Sequence, residues 1–244
     1  MRTKPTLSVG DYVRLSEYTG EPITEIWKSR GDVALHVYDT ERGKFSVNLS
    51  LLHDPCSYLT EENRCGVHDA RPLACASFPI FQFMFKEEEI KQGHYDIYGC
   101  MKNAMPKPEQ IELGYELWRI MLAEAKYHLD FLGGEPMYVN LPSTGNYFQL
   151  AGKACELQMS RDPLGMEKRT YMLKNSVEKM ASLADEAVSG LVLDGSLYAH
   201  LLSPVMFSIM EDEIAGRLDN LDGRALEIYK KTTKRYEELA RRIE

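Results

Sequence analysis

The sequence predicts an α+β, predominantly helical fold, with an irregular cysteine-bearing region and short strands followed by a helical, bundle-like C-terminal part. Helical spacing of apolar residues is strong from Pro106 onward, where Leu113, Leu117, Ile120, Met121, Ala125 and Leu129 recur at intervals of three and four. Two short β-prone runs, Val33 to Tyr38 and Lys44 to Leu49, flank Thr40-Glu41-Arg42-Gly43 and read as a hairpin. Between these regions, residues 53–100 show no period: cysteines alternate with turn-prone pairs such as Asp54-Pro55, Cys65-Gly66, Arg71-Pro72 and Phe78-Pro79.

Taken in order, Ser8 followed by Asp11 has the form of a capping box, with Asp in place of the usual Glu or Gln. Tyr12, Leu15 and Tyr18 supply one apolar face of the helix it opens, and Gly20 is its stop. A second helix is expected from Pro22, a residue suited to a first turn, to about Lys28. Phe81, Phe83 and Phe85 alternate as in a strand over 80–86, with Gly93 to Tyr98 as partner. The long helix after Pro106 ends at Gly133-Gly134. Asp162-Pro163 looks like the start of another running to about Ala187, with further helices within 196–217 and from about Asp222 to Arg242. Two parts follow, about 1–104 and about 105–244, or one continuous domain.

The 244 residues carry 29 Lys and Arg against 37 Asp and Glu, a net charge of −8. Such a chain has no general attraction to phosphate backbones or anionic lipid, so no nucleic-acid partner is expected. The most apolar late stretch, Ser196 to Met210, contains His200 and Pro204 and falls short of the roughly 20 apolar residues that span a bilayer. No apolar signal core follows Met1, and the expectation is a cytoplasmic protein without membrane association.

Five cysteines are present, Cys56, Cys65, Cys75, Cys100 and Cys155, and the first four fall within 45 residues of one another. Clustered thiols in a reducing compartment point to metal or redox chemistry rather than to disulfides. Cys155 stands apart and reads as a small core residue. Four thiolates suffice for one zinc ion or one [4Fe–4S] cluster. Their spacings lack the C-x-x-C knuckle of many zinc sites and gather ligands from separate loops beside Tyr58, Phe78 and Phe81. That slightly favours an iron–sulfur cluster over zinc, and bound metal would organise a loop region otherwise too long for a compact domain. The competing reading is four buried, reduced cysteines without chemistry. His53, His68 and His94 flank these cysteines; His68 is the first substitute ligand, while His36, His128 and His200 receive no role. Arg71-Pro72 turns the chain so that Cys75 faces Cys65, and the Arg71 guanidinium either contacts the cofactor or forms an ordinary ion pair with Asp69.

The ordered elements Cys56-x-x-Leu59, Cys65-Gly66-Val67-His68, Arg71-Pro72-x-x-Cys75, Phe78-Pro79 and a late Cys100 resemble the YkgJ-like cysteine-cluster family over about residues 5–102. That family is described as a zinc- or iron-chelating domain, and its motif also occurs in flagellin lysine N-methylases. The resemblance implies Cys56, Cys65, Cys75 and Cys100 as metal ligands. It also departs from the family pattern: the dense cysteines usual before the first helix have no counterpart in residues 1–8, His68 stands at a usual tyrosine, and Ala76 replaces a usual basic residue. Three functions follow as expectations. The first is a metal-binding protein with a structural or redox centre. The second is an S-adenosylmethionine-dependent protein-lysine N-methyltransferase, and the third is a metal delivery protein. A protein partner or substrate is expected; the oligomeric state is not legible. No phosphate-binding glycine loop, H-E-x-x-H or G-x-S-x-G appears.

Overall fold

The computed structural model describes residues 5–39, 44–52, 56–78, 107–133, 137–140, 206–207 and 210–241. The predicted strands at 80–86 and 93–98, the helix from Asp162 and the residues His53, His94, Cys100 and Cys155 lie outside these.

Helix α1, Val9–Thr19, starts at the capping box read from the sequence. The Ser8 amide donates to Asp11 Oδ2 at 2.8 Å, and the Asp11 amide donates to Ser8 Oγ at 3.1 Å. Gly20 closes the helix in the left-handed region at φ 75°, where a residue without a Cβ is favoured. Every residue from Val9 to Leu15 is buried, so the first two turns are covered on all sides. Tyr12 and Leu15 are fully buried, but Tyr18 is 50% exposed. Tyr18 lies in the third turn, beyond the stretch from Val9 to Leu15 that neighbouring elements cover.

Helix α2, Ile23–Arg30, follows Pro22 and buries Ile26 and Trp27. Strands β2, Gly31–Asp39, and β3, Lys44–Leu51, form the predicted antiparallel hairpin, with Val33 opposite Leu49 and a register shift between Val37 and Asp39. Two short strands share the other edge of β3 in tandem. Strand β1, Thr6–Leu7, pairs with Ser50 and Leu49, and β4, Met137–Asn140, pairs with Lys44 to Val47. All pairings among the described strands are antiparallel.

Residues 56–78 hold little regular structure: a 3₁₀ turn at His68–Ala70 and the four-residue helix α3, Leu73–Ala76. Helix α4, Pro108–Leu132, has proline in its first turn and ends at Gly133, φ 104°. A helical run over 210–219 leads to α5, Gly223–Ala240. The fold is thus predominantly helical with a small antiparallel sheet.

The core joins both halves of the sequence. One cluster unites Leu7, Tyr12, Trp27, Val33 and Leu49 with Phe207, Ile214 and Tyr229. The Trp27 indole donates to the Glu211 carbonyl at 2.9 Å. A second cluster packs Leu73 and Ala76 of α3 against Leu113, Leu117 and Ile120 of α4 and Tyr236 and Leu239 of α5. Helix α3, which carries Cys75, is thereby fixed to the helical half by apolar burial. Among the described residues no helix is long and apolar enough to cross a membrane.

Candidate metal centre

The cysteine region is a miniature hairpin followed by two turns. The Ser57 amide donates to the Leu52 carbonyl and the Leu59 amide to that of Cys56, both at 3.0 Å. Leu59 and Cys65 form an isolated antiparallel bridge, flanked by Thr60 N–H to Arg64 O and Gly66 N–H to Tyr58 O, each 2.8 Å. Asn63 makes the tip possible at φ 58°, a conformation asparagine adopts more readily than most residues. This pairing folds Cys65 back toward the segment that holds Cys56.

The chain then turns through His68–Ala70 and straightens at Arg71-Pro72. Arg71 has φ −56° and ψ 143°, Pro72 φ −51° and ψ 148°, the extended pair expected when proline excludes helix at the residue before it. Pro72 opens α3: its carbonyl accepts from the Cys75 amide at 2.8 Å and from the Ala76 amide at 2.9 Å. Leu73 and Ala76 are buried, and Cys75 faces outward.

Three of the four expected ligands are described. Cys56 is half-buried, and Cys65 and Cys75 are surface residues with free thiols. The reading of four buried packing cysteines therefore fails for these two, which fill no space in the core. Cys56 and Cys65 lie within electrostatic reach of Cys75. Cys75 keeps an open face while set in a dense surround. That burial, then the Asp11 carboxylate and the two neighbouring sulfurs, push its thiol up to about 12, and Arg71 offsets this in part. Among the described residues no three His, Cys, Asp or Glu groups stand close enough together to hold a metal ion. The donor set suits zinc or an iron–sulfur cluster by its chemistry, but the described side chains alone do not complete such a site.

Arg71 is placed near Cys75 by the turn. Its guanidinium Nη1 contacts His68 Nε2, and Asp69 Oδ1 lies 3.6 Å from His68 Nδ1. The ion pair expected between Arg71 and Asp69 is thus replaced by a chain in which the imidazole stands between them. The Nε2 of His68, the first substitute ligand, is thus taken up by Arg71.

The sequence reading missed what lies beneath. The Leu73 amide, at the start of the Cys75 helix, donates to Asp11 Oδ1 at 2.8 Å. Arg14 Nη2 donates to the same oxygen at 2.7 Å, and Arg14 Nη1 to Glu124 Oε1 at 2.5 Å. Ser8 Oγ donates to Glu124 Oε2 at 2.7 Å and Thr232 Oγ1 to Glu124 Oε1 at 2.6 Å. Asp11 and Arg14 are 1% exposed and Glu124 0%, so one guanidinium and two carboxylates share a dry site joining α1, α3, α4 and α5. Burial opposes the charge on Arg14, but Asp11 and Glu124 outweigh it and hold the guanidinium pKa above its usual value. The signal for Glu124 was its spacing: it follows Leu117 and Ile120 on the buried face of α4, where a carboxylate needs partners.

Beside this network a groove of about 480 Å³ runs between α1 and α5, with Arg14, Tyr18, Asp69 and Tyr236 in its walls. Its position beside Asp69 and Ala70 brings it next to the cysteine loop. Comparison with protein-family models, with characterised proteins and with solved structures finds no match to this chain.

Proposed function

We infer that the protein binds metal through Cys56, Cys65, Cys75 and Cys100, as an iron–sulfur cluster or a zinc site with a structural or redox role. One observation supports this reading: thiols from a hairpin and a separate helix lie within electrostatic reach of one another, on a scaffold anchored to buried charge. Surface cysteines contribute little to packing, and gathering them from two elements has an evident use only if something binds them. Arg71, beside Cys75, would offset the negative charge of bound thiolates.

Two further readings have support of their own. Exposure of Cys65 and Cys75 is the property a metal delivery protein needs, since its ligands must exchange with a partner. The polar groove beside the loop is what a protein-lysine N-methyltransferase would need, with S-adenosylmethionine as methyl donor.

Anaerobic purification, metal analysis and a visible spectrum on one sample separate these readings. Iron with sulfide and thiolate-to-iron absorption supports a cluster, and about one colourless zinc per chain supports a zinc site. Rapid loss of that metal to a chelator favours delivery, and S-adenosylmethionine binding favours the methyltransferase. Full metal occupancy in each of Cys56→Ser, Cys65→Ser, Cys75→Ser and Cys100→Ser would refute the assignment.

A further inference from the structure

Tyr236 of α5 stands where the helical half meets the cysteine region. It is 1% exposed and packs in one cluster with Leu73 and Ala76, which lie on either side of Cys75 in α3. Ala70, the residue before Arg71, shares the wall of the groove with it. The Arg14 guanidinium lies over its ring, Cζ 5.5 Å from the centroid, while Arg71 is the strongest charge acting on its hydroxyl. A phenylalanine would fill the same space against α3, so packing does not account for the buried oxygen. The Arg71 guanidinium is likewise divided: Nε is buried, and Nη1 contacts the exposed His68. Among the described residues neither the Tyr236 hydroxyl nor Arg71 Nε completes a hydrogen bond, so the contact between them is loose.

We propose that Tyr236 positions Arg71 for the metal centre, its hydroxyl oxygen accepting from Nε so that the guanidinium stays turned toward the Cys75 thiolate. The role rests on the metal-binding reading and extends it into the helical half. Arg71 is the cation that opposes Asp11, Cys56 and Cys65 at Cys75. Metal binding takes the protons from the thiols and concentrates negative charge on their sulfurs. A guanidinium already held there serves that charge better than one free to swing into water. The thiolates draw its outer nitrogens, and a tyrosine oxygen fixed by burial gives its inner N–H an acceptor at the same time. Tyr236 acts only through Arg71 and is not itself a ligand.

The test is the zinc affinity of the full chain, prepared without oxygen and read by competition with a chelating dye. Tyr236→Phe keeps the ring and its contact with Arg14 and removes only the hydroxyl. It should weaken zinc binding about tenfold, about 1.4 kcal/mol, with an unchanged melting temperature. Arg71→Gln should weaken binding at least as much. The double variant should be no weaker than Arg71→Gln alone, because the hydroxyl has no route to the metal except the guanidinium. Additive losses would make Tyr236 a support of the fold in general and overturn the proposal. If Tyr236→Phe also melts earlier, that comparison still decides, since a general loss of stability adds to Arg71→Gln. Tight zinc binding by the parent that Tyr236→Phe leaves unchanged overturns the role of Tyr236 alone. A parent that takes up no zinc fails the zinc reading itself, and this role falls with it.

Discussion

Gly10 and Glu124 fit together only because residue 10 has no side chain. A Cβ on Gly10 would stand 2.2 Å from Glu124 Oε2 and 2.4 Å from its Cδ. The glycine is a socket in α1 into which α4 lowers its buried carboxylate, and there the carboxylate reaches Ser8 and Arg14.

Gly10→Ala should therefore destabilise the fold although alanine is the better helix former. The methyl group gains roughly 1 kcal/mol in helix propensity, but displacing Glu124 from its buried partners costs about 3–5 kcal/mol. A net loss of about 3 kcal/mol in urea unfolding is expected. A variant as stable as the parent would show that Glu124 can leave its socket without cost.

Asp11→Ala should loosen the cysteine helix in particular. The Leu73 amide loses its acceptor, while the apolar contacts of α3 with α4 and α5 remain. Native-state hydrogen exchange is expected to speed up at Leu73 beyond any change shared by the α5 amides. Equal acceleration in both places would mean that Asp11 supports the whole fold and not α3 specifically.

His128 should impose an acid limb on stability. Burial lowers its pKa from 6.5, and the nearby Asp11 and Glu124 only partly counter this. Its folded pKa lies below the unfolded one, so the unfolded chain takes up the proton first. The contribution is complete above about pH 6.5 and is lost as pH falls through the folded value. His128→Asn should flatten the fall in stability between about pH 7 and pH 5. If parent and variant curves run parallel there, another group sets the limb.

Local punctuation was legible in the sequence. The Ser8–Asp11 box, Gly20, Pro22, Gly133 and Asp222 mark element ends where backbone chemistry leaves few choices, and each stands at the expected boundary. The hairpin followed from alternation around a turn. Side-chain meeting points between distant segments were not legible. Nothing local to Asp11 says that it accepts from Leu73, and nothing near Gly10 says that Glu124 covers it. A glycine in a first helical turn and a glutamate on an apolar stripe are each ordinary, and only their meeting gives them meaning. Tyr18 and Leu129 fitted an apolar period yet are exposed, because a period fixes an angle and not how far along or around the helix its neighbours reach.

The covering of α1 bears on how the protein is made. Its buried turns are closed by Tyr229, Thr232 and Tyr236 of α5, which are synthesised more than two hundred residues after Ser8. Until they emerge, Arg14 and Glu124 have an incomplete sheath, and the segment carrying Cys75 lacks part of the surface it docks on. During synthesis the thiols of Cys56, Cys65 and Cys75 are therefore presented on an unfinished scaffold. Completion of this region belongs after α5 has emerged, and a ribosome stalled before residue 223 holds a chain without that wall.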